Sequence, residues 1–200
     1  MKKILVVLFV ILLFPAINIA KKPVKLTASI ETDKGIIELE FYGDKAPLTV
    51  FSFVNLASRG YFDGISYHRV VPGFVIQGGD PTGTGSGGPG YQFGLEVNKE
   101  LKHSAAGILS MARTNDPNSN GSQYFITLAP TPNLDMQYTV FGKVTKGLDV
   151  VLSIKQGDKM NKITVKGDIT PEMKALQAKV NEWNKILTKK FTKLRPVVYK

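Results

Sequence analysis

Three observations predict that this chain is a mainly β protein, built as an antiparallel barrel or sandwich. Short runs with strand-like patterns of apolar residues recur along most of the chain. Turn signals rich in glycine, proline and asparagine separate these runs, as they do in antiparallel sheets. With 200 residues, 43% of them hydrophobic and 10% aromatic, the chain can fill one substantial core. One medium-sized folded domain with appendages is therefore expected.

The first predicted element is a hairpin of LTASIET and GIIELEFY, which turns at residues 33–35. A helix from Asp44 to Arg59 comes next, with Pro47 in its first turn and Gly60 just past its end. Its apolar residues recur at helical spacing: Val50, Phe53, Val54 and Ala57. One amphipathic helix therefore follows the first hairpin.

The remaining predicted elements are short. Strand-like runs lie at residues 65–71, 74–77, 107–112, 123–128, 138–144 and 162–166. A second short helix is predicted near Leu148 to Lys155, before the last of these strands. The predicted β domain ends near Gly167.

The first twenty residues differ in character from the rest of the chain. Lys2 and Lys3 precede an unbroken apolar run from Ile4 to Phe14, and a small residue, Ala20, follows. This pattern is typical of a secretory signal peptide. The prediction is export to the periplasm or the extracellular space. Where residues 1–20 are not cleaved, residues 4–20 would anchor the protein to the outer face of the inner membrane.

The formal net charge of +10 is concentrated near one end of the chain. Residues 21–170 hold 16 basic and 14 acidic side chains, whereas residues 171–200 hold 8 basic and 2 acidic ones. This distribution argues against a nucleic-acid partner. His68 and His103 are the only histidines and cysteine is absent, so neither a metal nor a cofactor is predicted.

The glycine-rich segment from Asp80 to Gly94 contains a G-x-G-x-x-G pattern at Gly83, Gly85 and Gly88. A Pro-Gly pair follows at once where a dinucleotide-binding motif would begin a helix. The segment is therefore predicted to be a surface loop that borders a pocket. The serines lack a G-x-S-x-G frame, which argues against a hydrolase.

The stretch from Tyr67 to Asp80, YHRVVPGFVIQGGD, places one cation beside an apolar run. Arg69 offers five donors in a planar fork. A Pro-Gly turn separates two strand-like halves, so Arg69, Phe74 and Gln77 can converge. A second stretch, Gly107 to Leu128, also joins two apolar runs through a polar turn. Together they predict an apolar pocket with few polar groups.

Several motifs occur in a fixed order: HRVVPGFVIQGGD, the glycine-rich loop, GILSMA, NGSQYFI, LD and VFGKV. Together they resemble the cyclophilin family of peptidyl-prolyl isomerases, and exported bacterial members in particular, over about residues 26–166. The resemblance implies a closed eight-stranded antiparallel barrel capped by two helices, in a domain spanning residues 21–168. It also implies that the protein isomerises X-Pro bonds of exported, proline-containing polypeptides and assists their folding. The alternative is a non-catalytic peptide-binding or chaperone module on the same barrel.

Arg69 is the candidate catalytic residue, because its fork can reach a proline nitrogen and the proline carbonyl together. The resemblance assigns further roles position by position. Gln77 and Gln123 orient Arg69 and the peptide, and the backbone of Ala112 and Arg113 pairs with extended substrate. The proline pocket and its wall are assigned to Phe74, Val75, Phe125, Leu134 and Tyr138. Asn133 replaces an aromatic residue common in the family, so the resemblance does not extend to tight cyclosporin binding.

Residues 169–200 form a basic amphipathic tail outside the region of resemblance. Thr170 is predicted to cap a helix that begins at Pro171. One face is apolar, with Met173, Leu176, Val180, Trp183, Leu187, Phe191 and Leu194 three and four apart, and the other carries Lys174, Lys179, Lys185, Lys189, Lys190 and Lys193. Residues 171–194 are predicted to fold back on the barrel, to pair with another helix, or to lie on anionic lipid. The protein is expected to be a monomer.

Overall fold

The computed structural model describes residues 24–198, so the signal or anchor predicted at residues 1–20 lies outside the described residues. Within them the strands are β1 Thr27–Thr32, β2 Gly35–Phe41, β3 Arg69–Val71, β4 Val75–Gly78, β5 Ile108–Met111, β6 Tyr124–Thr127, β7 Val140–Lys146 and β8 Met160–Lys166. The helices are α1 Pro47–Ser58, α2 Leu148–Ser153, α3 Pro171–Ala175 and α4 Gln177–Lys190, and a 3-10 turn spans Pro132–Leu134.

The strands form one curled sheet in the order β3-β4-β6-β5-β7-β2-β1-β8, and every neighbouring pair is antiparallel. The prediction of a mainly β, eight-stranded antiparallel fold is confirmed. Full closure stays a prediction, because the end strands β3 and β8 do not pair along their length. The segments just before them do meet: Ser66 bridges Lys159, and the Tyr67 N–H donates to the Asp158 carbonyl at 2.8 Å.

Aromatic rings fill the centre of the sheet beneath α1. Phe53 of α1 lies within 5.0 to 5.5 Å, centroid to centroid, of four rings from the sheet and the following loop: Phe41, Phe62, Tyr124 and Phe141. Ring pairs at such distances add favourable contacts to the area they bury. The cluster therefore fixes α1 against β2, β6 and β7.

Helix α1 is buried on nearly all sides, and not along one stripe as predicted. Every residue from Thr49 to Ala57 is buried, including the polar Ser52 and Asn55. Ser52 Oγ lies 2.9 Å from the Tyr91 hydroxyl, and Asn55 Nδ2 donates to Asn184 Oδ1 at 2.9 Å. The outer face of α1 is buried because the glycine-rich loop, through Tyr91, and the tail, through Asn184, cover it.

The tail comprises two helices, whereas the sequence predicts one. The break falls at Leu176 (φ −94°, ψ 7°), which ends α3 and precedes α4. Thr170 caps α3 as expected, since its Oγ1 accepts from the Met173 N–H at 3.3 Å. Helix α4 ends at Lys190, because Phe191 is extended (φ −126°, ψ 106°), so the helix is shorter than the apolar spacing predicts.

Of the three uses predicted for residues 171–194, the structure shows packing on the domain. Trp183 is 3% exposed and stacks on Tyr91 at 4.3 Å with an interplanar angle of 4°. Arg59, next to the end of α1, donates to Asn184 Oδ1 at 2.9 Å and to Thr188 Oγ1 at 3.0 Å. Among residues 24–198, no helix is both long enough and apolar enough to span a bilayer.

Candidate active site

The site is built on a row of side chains that crosses four neighbouring strands. Arg69 of β3 lies opposite Gln77 of β4, and Gln77 lies opposite Phe125 of β6. Phe125 in turn lies opposite Ser110 of β5. Residues directly opposite each other in antiparallel strands project from the same face of the sheet. The register therefore places a guanidinium, an amide and an aromatic ring side by side.

A cavity of about 230 Å³ opens beside this row. Nine of the ten predicted site residues line it: Arg69, Phe74, Val75, Gln77, Ala112, Arg113, Phe125, Leu134 and Tyr138. The tenth, Gln123, lines the adjoining cavity. Over the described part of the chain, no carboxylate lies within 4 Å of the Arg69 guanidinium. The cavity thus has a cation at its edge, and no acid neutralises that cation.

A directional series of hydrogen bonds holds the Arg69 guanidinium. Arg69 Nη1 donates to Gln77 Oε1 at 3.2 Å, and Gln77 Nε2 donates to Gln123 Oε1 at 3.0 Å. Gln123 Nε2 donates to the carbonyl oxygens of Gly85 at 2.8 Å and Gly87 at 3.0 Å. The series uses one nitrogen of Arg69 and anchors it, through two glutamines, to the glycine-rich loop.

Asp80, which is 1% exposed, organises that loop. One carboxylate oxygen accepts from the Thr82 N–H at 2.7 Å and hydroxyl at 2.8 Å, and the other from the N–H groups of Gly85 at 2.6 Å and Gly87 at 3.1 Å. Burial alone raises the pKa of Asp80. The four hydrogen bonds outweigh it and lower the pKa from 3.8 to about 2. A Cβ on Gly87 would lie 2.0 Å from Asp80 Oδ1, so this position requires glycine.

We expect Asp80→Asn to destabilise the protein at pH 7 by about 2 kcal/mol or more, because an amide nitrogen would face N–H donors. The folded-state pKa lies below the ordinary value, so the stabilisation by Asp80 is present above about pH 4 and is lost as the pH falls through 2. Urea unfolding at pH 7, 4 and 2.5 measures this, and the difference between the two proteins should narrow at the lowest pH. Asp116→Asn, at an exposed carboxylate, is the control. A difference between Asp80→Asn and the unmodified protein that does not change with pH would contradict the assignment.

The 3-10 turn and the segment after it form another wall of the cavity. The ring of Tyr138 meets that of Phe125 edge-on, at 5.7 Å and 82°. The Arg113 guanidinium lies 4.9 Å from the centroid of the Tyr138 ring, and its Nε donates to the Gln137 carbonyl at 2.8 Å. Tyr138 is thereby held between a ring and a cation. Leu134, the last residue of the turn, also lines this wall.

No motif in the sequence marks the polar network behind Phe125. His103 Nδ1 lies 3.0 Å from Asp135 Oδ1, and His103 Nε2 lies 3.0 Å from Ser110 Oγ. Burial lowers the pKa of His103 in spite of Asp135. The geometry is that of a serine-histidine-aspartate triad, but Ser110 is 0% exposed and donates to the Thr139 carbonyl. No substrate can reach it, so the network is structural, and its imidazole stacks on Phe125 at 5.9 Å.

A second cavity, of about 660 Å³, adjoins the first and shares Gln77, Ala112 and Arg113 with it. Its remaining walls include the glycine-rich loop at residues 85–90, Gln123, and Lys190 from α4. Within residues 24–198, no three His, Asp or Glu side chains cluster as a metal ion would require. The two cavities form one continuous recess.

The curled antiparallel sheet thus presents a cavity lined by aromatic and aliphatic side chains, with an arginine at its edge that is anchored through two glutamines. The model of the family described as "Cyclophilin type peptidyl-prolyl cis-trans isomerase/CLD" matches residues 27–179. The chain therefore belongs to the cyclophilin family of peptidyl-prolyl cis-trans isomerases, which are enzymes. The family resemblance of the sequence motifs is confirmed.

Named relatives agree with this assignment. The chain is 55% identical over 125 residues to "Peptidyl-prolyl cis-trans isomerase-like 1" of Rhizopus delemar, a match covering 61% of this chain and 75% of that protein. It is 52% identical over 126 residues to an Arabidopsis thaliana peptidyl-prolyl cis-trans isomerase, covering 62% and 76%. A crystal structure of a Cryptosporidium parvum cyclophilin-type isomerase in the presence of the dipeptide Ala-Pro is similar, with a TM-score of 0.65 and 35% identity, covering 71% of this chain and 99% of that one.

Proposed function

We propose that this protein catalyses cis-trans isomerisation of X-Pro bonds in exported bacterial polypeptides, assists their folding, and acts as a monomer. The observation that carries the proposal is the cavity that joins Arg69 to an apolar pocket lined by Phe74, Phe125 and Leu134. Family membership supports the reaction, and the Ala-Pro dipeptide in the similar crystal structure supports proline-containing substrates. The reaction needs neither a metal nor a cofactor, since no bond is made or broken.

The barrier to rotation is about 18–20 kcal/mol, because the amide nitrogen shares its lone pair with the carbonyl. In the twisted transition state this sharing is lost, and the pyramidal nitrogen becomes a better hydrogen-bond acceptor than in either planar form. A donor placed at that nitrogen therefore binds the twisted form more tightly than the planar ones, which is the condition for catalysis. The free N–H groups of Arg69 supply such a donor at the edge of the cavity. The same N–H groups would also donate to the proline carbonyl.

The other residues would hold the substrate while its bond rotates. The proline ring enters the apolar part of the cavity, where Val75 is 2% exposed and Phe125 is 5% exposed. The flanking backbone adds to the edge near the end of β5. The Ala112 N–H already donates to the Gln123 carbonyl at 3.0 Å. Successive residues of an extended strand present their backbone groups to opposite sides, so the N–H and carbonyl of Arg113 would pair with the peptide. Anchoring both flanks lets rotation occur about one bond.

Exchange NMR on a short proline peptide tests this function. Uncatalysed exchange takes tens to hundreds of seconds, and the purified protein is expected to bring it into the subsecond range in proportion to its concentration. Protein that binds the peptide without accelerating exchange would instead establish the non-catalytic peptide-binding or chaperone alternative. The two outcomes differ because binding shifts resonances, whereas only catalysis produces exchange peaks.

The proposed location is the periplasm or the extracellular space, supported by the basic, apolar and small-residue order of residues 1–20. Cell fractionation with intact-mass measurement tests it. Loss of residues 1–20 from exported protein is the expected result, full-length protein on the inner membrane would indicate the anchor, and full-length protein in the cytoplasm would refute export. Sedimentation measures the expected monomer.

A further inference from the structure

Helix α4 contributes a side chain to the second cavity. Lys190 lines it, and its Nζ donates to the Gly88 carbonyl at 3.0 Å. A Cβ on Gly90 would lie 3.1 Å from both Ile186 Cγ2 and Lys190 Cδ, so the helix sits directly on the glycine-rich loop. Lys190 lies beyond residues 27–179, which the family model matches. The tail thus adds a basic group to the recess from outside the matched region.

The cavity has positive charges and no negative ones among its lining residues. Arg113 and Lys190 are its two charged lining side chains. Arg113 is occupied by the carbonyls of Gln137 at 2.8 Å and Thr114 at 2.7 Å. The hydrogen-bond partner of Lys190 is a neutral carbonyl, and no carboxylate of the described chain lies within 4 Å of it. Lys190 is therefore the cation that an incoming carboxylate can neutralise.

The acids of the adjoining loops do not cancel this charge. Asp80 is buried and accepts four hydrogen bonds from its own loop. Asp116 is exposed, does not line the cavity, and accepts from the Asn118 N–H at 2.8 Å. A carboxylate that enters the cavity would thus meet Lys190 with its charge unpaired.

The direction of a bound peptide follows from the proposed mechanism. Arg69 lines the first cavity and not the second, so a proline carbonyl held by Arg69 directs the following residues away from the second cavity. The preceding residues then pass Ala112, which lines both. In an extended chain alternate side chains share a face. The side chain two residues before the proline is therefore the one that reaches the second cavity.

We propose that Lys190 makes the second cavity a subsite for an acidic side chain two residues before the isomerised proline. The proposal rests on the proposed function for the placement of the proline. It specifies a substrate class: chains with Glu or Asp at that position. Because Lys190 is remote from the rotating bond, it strengthens binding of the planar and twisted forms alike and acts on KM, not kcat.

The test compares Glu-Ala-Pro-Phe, Gln-Ala-Pro-Phe and Lys-Ala-Pro-Phe peptides, blocked at both ends, with the full chain. We expect kcat/KM to favour Glu over Gln by about threefold to fivefold, as for a partly exposed ion pair, with the preference weakening at high salt. Lys190→Gln should abolish the preference, and Lys190→Glu should shift it to the Lys peptide. Lys189→Gln, which removes the same charge one position earlier on α4 and away from this cavity, should keep it.

Equal values for the Glu and Gln peptides, or a Glu preference that survives Lys190→Gln, would overturn the proposal. Dissociation constants for the same three peptides, measured by NMR titration, report the preference even without turnover. Lack of exchange with all three peptides would therefore refute the isomerase function separately, while a Lys190-dependent difference in dissociation constants would still support the subsite. A preference that appears only when Glu follows the proline would refute the stated direction.

Discussion

Replacing Arg69 by alanine is expected to lower kcat/KM for X-Pro isomerisation by about two to three orders of magnitude, the usual effect of removing one transition-state donor. The Arg69 guanidinium lies at the edge of the cavity. One of its nitrogens donates to Gln77, and its remaining N–H groups can donate to a twisted imide. The fold should be retained, because Arg69 is exposed and lies outside the hydrophobic core. Exchange NMR gives the rate, and circular dichroism checks the fold.

Arg113→Ala is the matched comparison, since it removes the same charge from the same cavity. The guanidinium of Arg113 is bonded to backbone carbonyls, so we expect a loss below about tenfold from weaker peptide binding. A folded Arg69→Ala protein with near-normal turnover would contradict the role given to Arg69. Equal losses of kcat/KM for the two variants would show that the effect comes from the positive charge of the cavity and not from a specific donor on Arg69.

Trp183→Ala is expected to reduce the free energy of unfolding by about 3–5 kcal/mol, as truncation of a large buried side chain does. Trp183 stacks on Tyr91 at 4.3 Å and lies 5.4 Å from Phe93, so its loss opens a void between α4 and the domain. Neighbouring polar groups would also lose shielding, among them the Asn55–Asn184 hydrogen bond. Urea unfolding at 25 °C measures the change.

Ile186→Ala is the control for Trp183→Ala on the same helix, because Ile186 is 39% exposed. Its cost should stay below about 1 kcal/mol. Were Trp183→Ala to unfold at the same urea concentration as the unmodified protein, the tail would be an appendage and not part of the domain. A large loss would show that the tail helices belong to the folded unit.

The candidate site could be predicted from the sequence because it lies on two short hairpin-like stretches. Local alternation and a Pro-Gly turn suffice to place Arg69 opposite Gln77, and the NGSQYFI run brings Phe125 beside them. Family resemblance then supplies Leu134 and Tyr138, which no local pattern connects to Arg69. Nine of the ten site residues predicted in this way line one cavity.

The destination of the tail could not be predicted, because an apolar stripe specifies burial but not the surface that buries it. The decisive contacts join residues far apart in sequence, such as Asn184 with Asn55. Polar side chains such as Ser52 and Asn55 usually face solvent. The sequence therefore predicted an exposed face of α1 where the structure has a second buried one. The pairing of His103 with Asp135, 32 residues apart, likewise depends on tertiary contact alone.

We expect the Arg69 guanidinium to bind the twisted imide more tightly than either planar form. One NMR titration of Arg69→Ala with a proline peptide measures both the dissociation constant and the exchange rate of the bound peptide. We expect the dissociation constant to rise by about tenfold at most, because a hydrogen bond to the proline carbonyl is lost, and bound-state exchange to slow by about a hundredfold or more. Weaker binding with an unchanged bound-state exchange rate would contradict it, because Arg69 would then hold the substrate without catalysing its rotation.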